Sequence, residues 1–181
     1  MLFFKEKIFF SCNLCGSCCK EMDIPITHYD IDRIIKSGTS LELDMFITLY
    51  PSTQESEYSA LLYNVYSTLF LSNNLSDNSC IFLVDNKCSI YEYRPNTCRT
   101  WPISKNENKR LQIDEIAQIL VNSSCDKKIF KDHKEISKNI DIGLSELESY
   151  RTFLRFWNAK VQDMIEQQTI ENFIENFKDF L

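Results

Sequence analysis

Glycine, proline and histidine are scarce in this chain of 181 residues, which contains three glycines, four prolines and two histidines. Disordered linkers are usually rich in glycine and proline, so long linkers are not expected here. Three glycines also argue against the glycine-rich loop of a Rossmann-type cofactor site. The histidines, His28 and His133, stand in no Cys/His ligand spacing, and we expect each to be a surface or capping residue.

Long apolar runs are also missing. No stretch approaches the roughly 18 apolar residues that a membrane span needs. The first residues, "MLFFKEKIFFSC", interrupt their apolar pairs with Lys5, Glu6 and Lys7, unlike a signal peptide. A formal net charge of −6 argues against broad nucleic-acid binding. We therefore expect a soluble, cytoplasmic protein with neither a membrane nor a nucleic acid as partner.

Cysteine, by contrast, is abundant. Half of the chain's eight cysteines lie in "CNLCGSCC", residues 12 to 19, and two of these are adjacent. Disulfides are rare in the cytosol, and neighbouring cysteines bond to each other only with strain. A secreted, disulfide-stapled protein is thus a distant alternative to metal binding. The candidate ligands are Cys12, Cys15, Cys18, Cys19, Cys80, Cys88, Cys98 and Cys125.

The spacing within the run favours a metal site. Two cysteines three residues apart, followed by a glycine, form a knuckle in which both thiolates face one ion, and Gly16 tolerates a positive φ. In extended backbone, Cys18 and Cys19 would point to opposite faces and serve two different sites. All-sulfur ligation fits zinc or an iron–sulfur cluster, not magnesium, calcium or a His-type catalytic zinc. We favour an iron–sulfur cluster, with zinc as the alternative.

Three basic residues stand beside these cysteines: Lys20, Arg94 and Arg99. They are candidates to offset the negative charge of a thiolate site. Arg94 and Arg99 are also our candidates for contact with a small bound cofactor. The alternative is ordinary surface pairing with some of the 26 acidic residues.

Hydrophobic periodicity predicts an α-rich α+β fold in one domain, residues 1–181. We expect a strand over 7–11, a hairpin around Asp85-Asn86-Lys87 that pairs the strands of Cys80 and Cys88, and an ambiguous segment over 110–122. Pro95 and Pro102 pin a turn over 94–102. A cysteine-cluster core is assigned to 9–125 and a helical extension to 134–181.

The helices are predicted from capping signals and apolar faces. Thr27 and Asp30 form a capping box for a helix that Gly38 ends, with an apolar face of Ile31, Ile34 and Ile35. Ser40 is expected to cap a second helix, with Leu41, Met45, Phe46 and Leu49 inward, and residues 56–71 to form a third. Ser145 and Glu148 are expected to cap a long helix whose stripe is Leu147, Tyr150, Leu154, Trp157, Val161 and Met164. A short last helix follows, with Ile170, Phe173, Ile174 and Phe177 on one face.

Three stretches together resemble a known family. They are "FFSCNLCGSCCK", "ITHYDIDRIIKSG" and "CIFLVDNKCSIYEYRPNTCRTWP", covering roughly residues 9 to 102. The combination is similar to the cysteine-cluster proteins of YkgJ type, the zinc- or iron-chelating CxxCxxCC domain, which includes flagellin lysine N-methylases. Trp101 stands where that family usually has Tyr or Phe, and Cys125 is followed by Asp126 where Pro is common.

The resemblance implies a metal-binding or iron–sulfur domain with a role in redox chemistry, maturation or protein modification. Two alternatives stay open. One is a protein lysine N-methyltransferase-like enzyme acting on a protein substrate. The other is a structural-zinc module that binds a protein partner. The sequence does not decide whether the protein is an enzyme.

Overall fold

The structure, a computed structural model, describes residues 15–113 and 133–180. Within these ranges, helices alternate with small antiparallel sheets, and the α+β prediction is confirmed. The helices are α1 (Cys18–Glu21), α2 (His28–Lys36), α3 (Leu43–Phe46), α4 (Asn96–Thr100), α5 (His133–Val161) and α6 (Ile170–Phe180). The strands are β1 (Ile47–Pro51), β2 (Ala60–Leu62), β3 (Val65–Leu71), β4 (Leu83–Val84), β5 (Lys87–Cys88), β6 (Ile103–Lys105) and β7 (Leu111–Ile113). The strand predicted over 7–11 lies outside the described residues.

The largest sheet has three strands in the order β1-β3-β2. Its long strand, β3, pairs with β1 from Ile47↔Leu71 to Pro51↔Ser67 and with β2 on its other edge. The helix predicted over 56–71 is wrong, because Tyr63 and Asn64 both take positive φ and turn the chain into a hairpin. Along β3, side chains alternate between the core and the partly exposed face, as in a half-buried strand.

The helix predicted after Ser40 is mostly wrong as well. Only α3 forms, with Glu42 at its N-cap position, and the chain then continues directly into β1. Met45, expected inside, is exposed, and Leu49 and Pro51 belong to the strand. The β-branched residues Ile47 and Thr48 suit a strand, and pairing with β3 satisfies their backbone groups.

Helix α2 forms as predicted. The capping box of Thr27 and Asp30 is present, and Ile31 and Ile34 are buried. The chain leaves the helix just before Gly38, whose φ is +74°. Ile35, by contrast, is exposed, because one helical step carries it from the buried face to the solvent side.

The C-terminal helices close the core. Tyr150, Leu154, Trp157 and Val161 of α5 are buried, and the Trp157 indole N–H donates to the Leu61 carbonyl oxygen at 3.0 Å. The four predicted apolar residues of α6 are buried too. These side chains and those of α2 and the main sheet form one continuous apolar cluster. The packing of the stripe against the cysteine-bearing half is therefore confirmed.

Two details of the C-terminal prediction are wrong. The described span of helix α5 is His133–Val161, so Ser145 lies inside it and does not cap it. The helix ends at Val161, which leaves Met164 exposed. No helix in the described part of the chain is long and apolar enough to cross a membrane.

His28 is a further correction, because it is neither a surface residue nor a side-chain cap. It is 1% exposed, and its ring lies against Phe177, with the two ring centroids 3.4 Å apart. Neither ring nitrogen has a hydrogen-bond partner among the described residues. Burial, with the Arg33 charge nearby, lowers the pKa of His28 to about 3.

This buried histidine predicts a loss of stability in mild acid. Above the ordinary histidine pKa of about 6.5, His28 is neutral in both folded and unfolded chains and contributes no pH dependence. Below it the unfolded chain takes up a proton that the folded chain excludes down to about pH 3. Stability should therefore fall by about 1.4 kcal/mol per pH unit, or about 2 kcal/mol by pH 5.

The measurement is urea unfolding of wild type and His28→Leu at pH 7 and pH 5. The variant should lose about 2 kcal/mol less than wild type between the two pH values, because leucine cannot bind a proton. An equal loss in both proteins would show that His28 is not the responsible group.

Candidate metal centre

The cysteine run enters a short helix. Gly16, with a φ of +75°, turns the chain, and its carbonyl oxygen accepts from the Cys19 N–H at 3.0 Å. Cys18 and Cys19 consequently lie in one helical turn, with their Sγ atoms 4.0 Å apart. The expectation that these two side chains point to opposite faces is wrong, because it assumed extended backbone. Both thiols are available to the same centre.

Cys80 joins this turn through the backbone. Its N–H donates to the Cys19 carbonyl oxygen at 2.6 Å, and Cys80 forms an isolated bridge with Asn73. The predicted hairpin exists and turns at Asp85 and Asn86, which both have positive φ, but its paired strands are shorter than expected. Only Cys88 lies on its paired strands, opposite Leu83, so the prediction that places Cys80 there is wrong.

Cys98 is carried by α4. The segment 94–102 was predicted as a turn, but it holds a five-residue helix after a 3₁₀ turn at Tyr91–Tyr93. The N–H of Asn96 donates to the Asp30 carboxylate at 2.8 Å, which fixes the start of α4 against α2. This contact sets where Cys98 meets the other cysteines.

The described cysteines lie on chain segments that approach one another. Cys19, Cys80, Cys88 and Cys98 belong to or pack against the same apolar cluster. Burial and the neighbouring Cys80, Cys18 and Cys88 raise the pKa of the Cys98 thiol well above its usual value. The contact with Cys19, followed by burial and the charges of Cys19 and Cys15, raises the pKa of Cys18. Four separate chain segments thus supply thiols that influence one another.

The spacing of these thiols is still wider than that of a complete ligand set. Zinc–sulfur bonds of about 2.3 Å place two sulfurs of a tetrahedral site about 3.8 Å apart. The Cys18–Cys19 pair, at 4.0 Å, is close to that value. Among residues 15–113 and 133–180, no three Cys, His, Asp or Glu side chains are grouped closely enough to hold an ion. Cys12 and Cys125, two of the eight predicted ligands, lie outside these ranges.

The basic residues near the cysteines brace the backbone. Arg94 donates to the Tyr91 carbonyl oxygen at 2.6 Å and lies over the Tyr91 ring. Arg99 donates to the carbonyl oxygens of Arg94 and Glu92, at 3.0 and 2.5 Å. The contacts of these arginines with a thiolate or a small cofactor stay predictions.

Lys20 links the cysteine helix to the hairpin. Its ammonium group donates to the Asn86 side-chain oxygen at 2.8 Å. The loop around Gly16 approaches the same hairpin, since Gly16 lies close to Leu83 and to the backbone of Asn86. The cysteine run and the hairpin that carries Cys88 are therefore held together by both a side chain and a close backbone contact.

Sequence reasoning missed one set of residues behind the centre. Arg33 bonds the Asp30 carboxylate at 2.5 Å and Glu146 of α5 through both guanidinium amino groups, at 2.7 and 2.9 Å. The i, i+3 spacing of Asp30 and Arg33 is a local signal for the first contact. Glu146 lies 113 residues from Arg33 in sequence, so no local pattern predicts that pair.

The Gly16 turn yields a prediction with an internal control. Gly16 and Gly38 both have positive φ, so alanine should cost about 1–2 kcal/mol at either position. Only at Gly16 would the added Cβ meet neighbours, Leu83 Cδ1 at 3.2 Å and the Asn86 carbonyl oxygen at 3.3 Å. Gly16→Ala should therefore displace the cysteine run from the hairpin and lower the metal bound per chain. Gly38→Ala should lower the stability without lowering the metal content.

The two variants are compared by metal analysis and chemical unfolding after identical purification. Equal metal content in both would contradict a role for the Gly16 contact in assembling the centre.

Comparison with known proteins supports this centre. A family model, CxxCxxCC, described as "Putative zinc- or iron-chelating domain", matches residues 11–126. The matched span includes all eight cysteines and covers more than half of the chain. No curated protein and no solved structure matches the chain. The chain therefore belongs to the CxxCxxCC family of zinc- or iron-chelating domains.

Proposed function

We propose that the metal of this domain is iron in an iron–sulfur centre, with zinc as the alternative, and that the centre serves redox or maturation work with a protein partner. The proposed ligands come from the eight cysteines at positions 12, 15, 18, 19, 80, 88, 98 and 125. A bound iron–sulfur centre would supply one-electron chemistry.

The observation that carries the proposal is the convergence of thiols from distant segments. The thiols of Cys18, Cys80 and Cys98 have raised pKa values. The first cause is the contact with Cys19 for Cys18 and burial for Cys80 and Cys98, and the negative charge of neighbouring cysteines adds to it in each case. A bound cation reverses this penalty, since thiolates are its ligands. Sulfur donors suit soft metals and select for zinc, copper(I) or iron–sulfur clusters.

One feature favours iron–sulfur over zinc. The run from Cys12 to Cys18 has the C-x2-C-x2-C spacing of bacterial iron–sulfur ligands, with a remote cysteine left to complete the set. The Cys15-Gly16 knuckle is the feature that keeps zinc as the alternative.

A structural role is the second candidate, and burial favours it. Cys80 lies in the apolar core and Cys98 packs against it, so a metal bound by these two thiols would tie α4 to the chain segment that precedes the hairpin. Metal-binding free energy then becomes folding free energy. Both roles are compatible with a centre closed by four thiolates, which leaves no open position for substrate.

The test is anaerobic purification of the full chain, with iron, sulfide and zinc counted per chain and the visible absorbance recorded. Cys98→Ser should lose most of the bound metal, because serine is a poor ligand for these metals. It should also melt at a lower temperature, because the metal no longer links the segments of the core. Thr97→Ser, which removes one methyl group beside Cys98, is the matched control and should keep its metal.

Three results would alter the proposal. Zinc without iron or sulfide would replace the iron–sulfur centre by the zinc alternative. Full metal content in Cys98→Ser would remove Cys98 from the ligand set. Methyl transfer from labelled adenosylmethionine to protein in cell extract, lost in Cys18→Ser, would replace redox work by the methyltransferase-like activity.

A further inference from the structure

A cavity of about 590 Å³ lies beside α4, between the start of α2, β3, β6 and α5. Its volume is in the range of small-molecule binding sites. The walls are mainly apolar, formed by Ile26, Phe70, Ile103, Ile140, Leu144 and Leu147. They come from both the cysteine-bearing half and the C-terminal helix, so the cavity exists only when the two halves are packed.

Helix α4 joins this cavity to the cysteine cluster. Asn96, Thr97 and Thr100 line the cavity, while Cys98 of the same helix packs with the other cysteines. Helix α5 approaches α4 closely at Gly143, where a Cβ would lie 1.7 Å from the Asn96 side-chain nitrogen. A molecule in the cavity would thus press on the helix that carries a candidate metal ligand.

The cavity wall carries two carboxylates that share one cation. Asp30 and Glu146 both line the cavity, and the ion pairs described for them share one partner, Arg33. The oxygens of Asp30 already accept from Thr27, Arg33 and Asn96. Each Glu146 oxygen accepts one described bond, from Arg33, and a carboxylate oxygen has two lone pairs. Glu146, which lines the cavity, therefore keeps acceptor capacity.

The other described charged residues near the cavity do not offset the extra negative charge of Asp30 and Glu146 by direct contact. Lys105, which also lines the cavity, pairs with Asp141 at 2.5 Å. Arg99 acts on Asp30 and Glu146 only through space, because its guanidinium donates to the carbonyl oxygens of Glu92 and Arg94. A hydrogen bond to an ionised group is worth more than a screened charge at a distance.

A second and independent observation is the hydroxyl of Tyr150. Tyr150 lines the cavity and is 2% exposed, and its hydroxyl has no hydrogen-bond partner among the described residues. A buried hydroxyl without a partner costs about 1–3 kcal/mol. The fold thus leaves a polar group without a described partner in a residue that, like Glu146, lines the cavity.

We propose that this cavity binds a small organic cation, a primary amine on an apolar body about the size of one ring, with its ammonium group on Glu146. The apolar walls hold the body, and the charge-assisted hydrogen bond selects the amine over neutral or anionic molecules of the same shape. This site is separate from the metal ligands and does not depend on which metal they bind.

The test uses three probes of one shape: phenethylamine, 2-phenylethanol and phenylacetate. Each is titrated into the full-length, metal-loaded protein and followed by ligand-observed NMR. Molecules of this size should bind in the millimolar range, with the amine about tenfold tighter than the alcohol and phenylacetate weakest. Weaker binding of the amine than of phenylacetate, or no binding of any probe, would overturn the proposal.

Variants can separate the effect of the Glu146 charge from the effect of the cavity volume. Glu146→Gln should bring the amine down to the affinity of the alcohol, whereas Glu148→Gln on the same helix is exposed and should change nothing. That control matters because a net charge of −6 attracts any amine. Thr100→Leu adds apolar volume to the wall, and the Thr100 hydroxyl is bonded only within α4 in the described structure. It should weaken all three probes equally.

Each variant also has an outcome that counts against the site. Equal loss of amine binding in Glu146→Gln and Glu148→Gln would show surface attraction instead of a cavity. Unchanged binding in Thr100→Leu would place the probes elsewhere. If Glu146→Gln fails to fold, the probe series on wild type and the Thr100→Leu result decide the matter.

Discussion

A single buried carboxylate, Asp30, connects the parts of this protein. One of its oxygens accepts from the N–H and hydroxyl of Thr27, at 2.8 and 2.9 Å. The other accepts from Arg33 and from the Asn96 N–H, at 2.5 and 2.8 Å. These bonds cap α2, anchor the start of α4 and, through the bond of Arg33 to Glu146, hold α5. Four hydrogen bonds, one of them from the Arg33 cation, offset the cost of burying this charge.

The arrangement of the cysteine cluster and of the cavity depends on where α4 is held. One part of this helix supplies Cys98 to the cysteine cluster, and other residues of it line the cavity against α5. A short helix has little stability of its own, so contacts at its ends fix its position. The Asp30 bond and the close approach at Gly143 are such contacts. The cysteine cluster and the cavity are thus joined through one element.

Local patterns predicted the local parts of the fold. The capping box of α2, the buried face of α6 and the Asp85-Asn86 turn each depend on residues close in sequence. The β2–β3 hairpin was missed because Tyr63 and Asn64, not glycine, adopt the positive φ of its turn. Sheet pairing then overrode helix signals in β1.

The cysteine spacing and the family resemblance predicted a metal-binding domain, which the family match supports, but they did not predict how the cysteines are arranged. The thiols of Cys18 and Cys19 lie side by side because of a helical turn that the sequence pattern did not predict. We propose that sulfur from these converging segments binds the metal. X-ray absorption at the metal edge of the anaerobically purified full chain measures the ligands of the metal directly. We expect an all-sulfur shell at about 2.3 Å, whereas a main shell of nitrogen or oxygen ligands at about 2.0–2.1 Å would show that sulfur is not the main ligand.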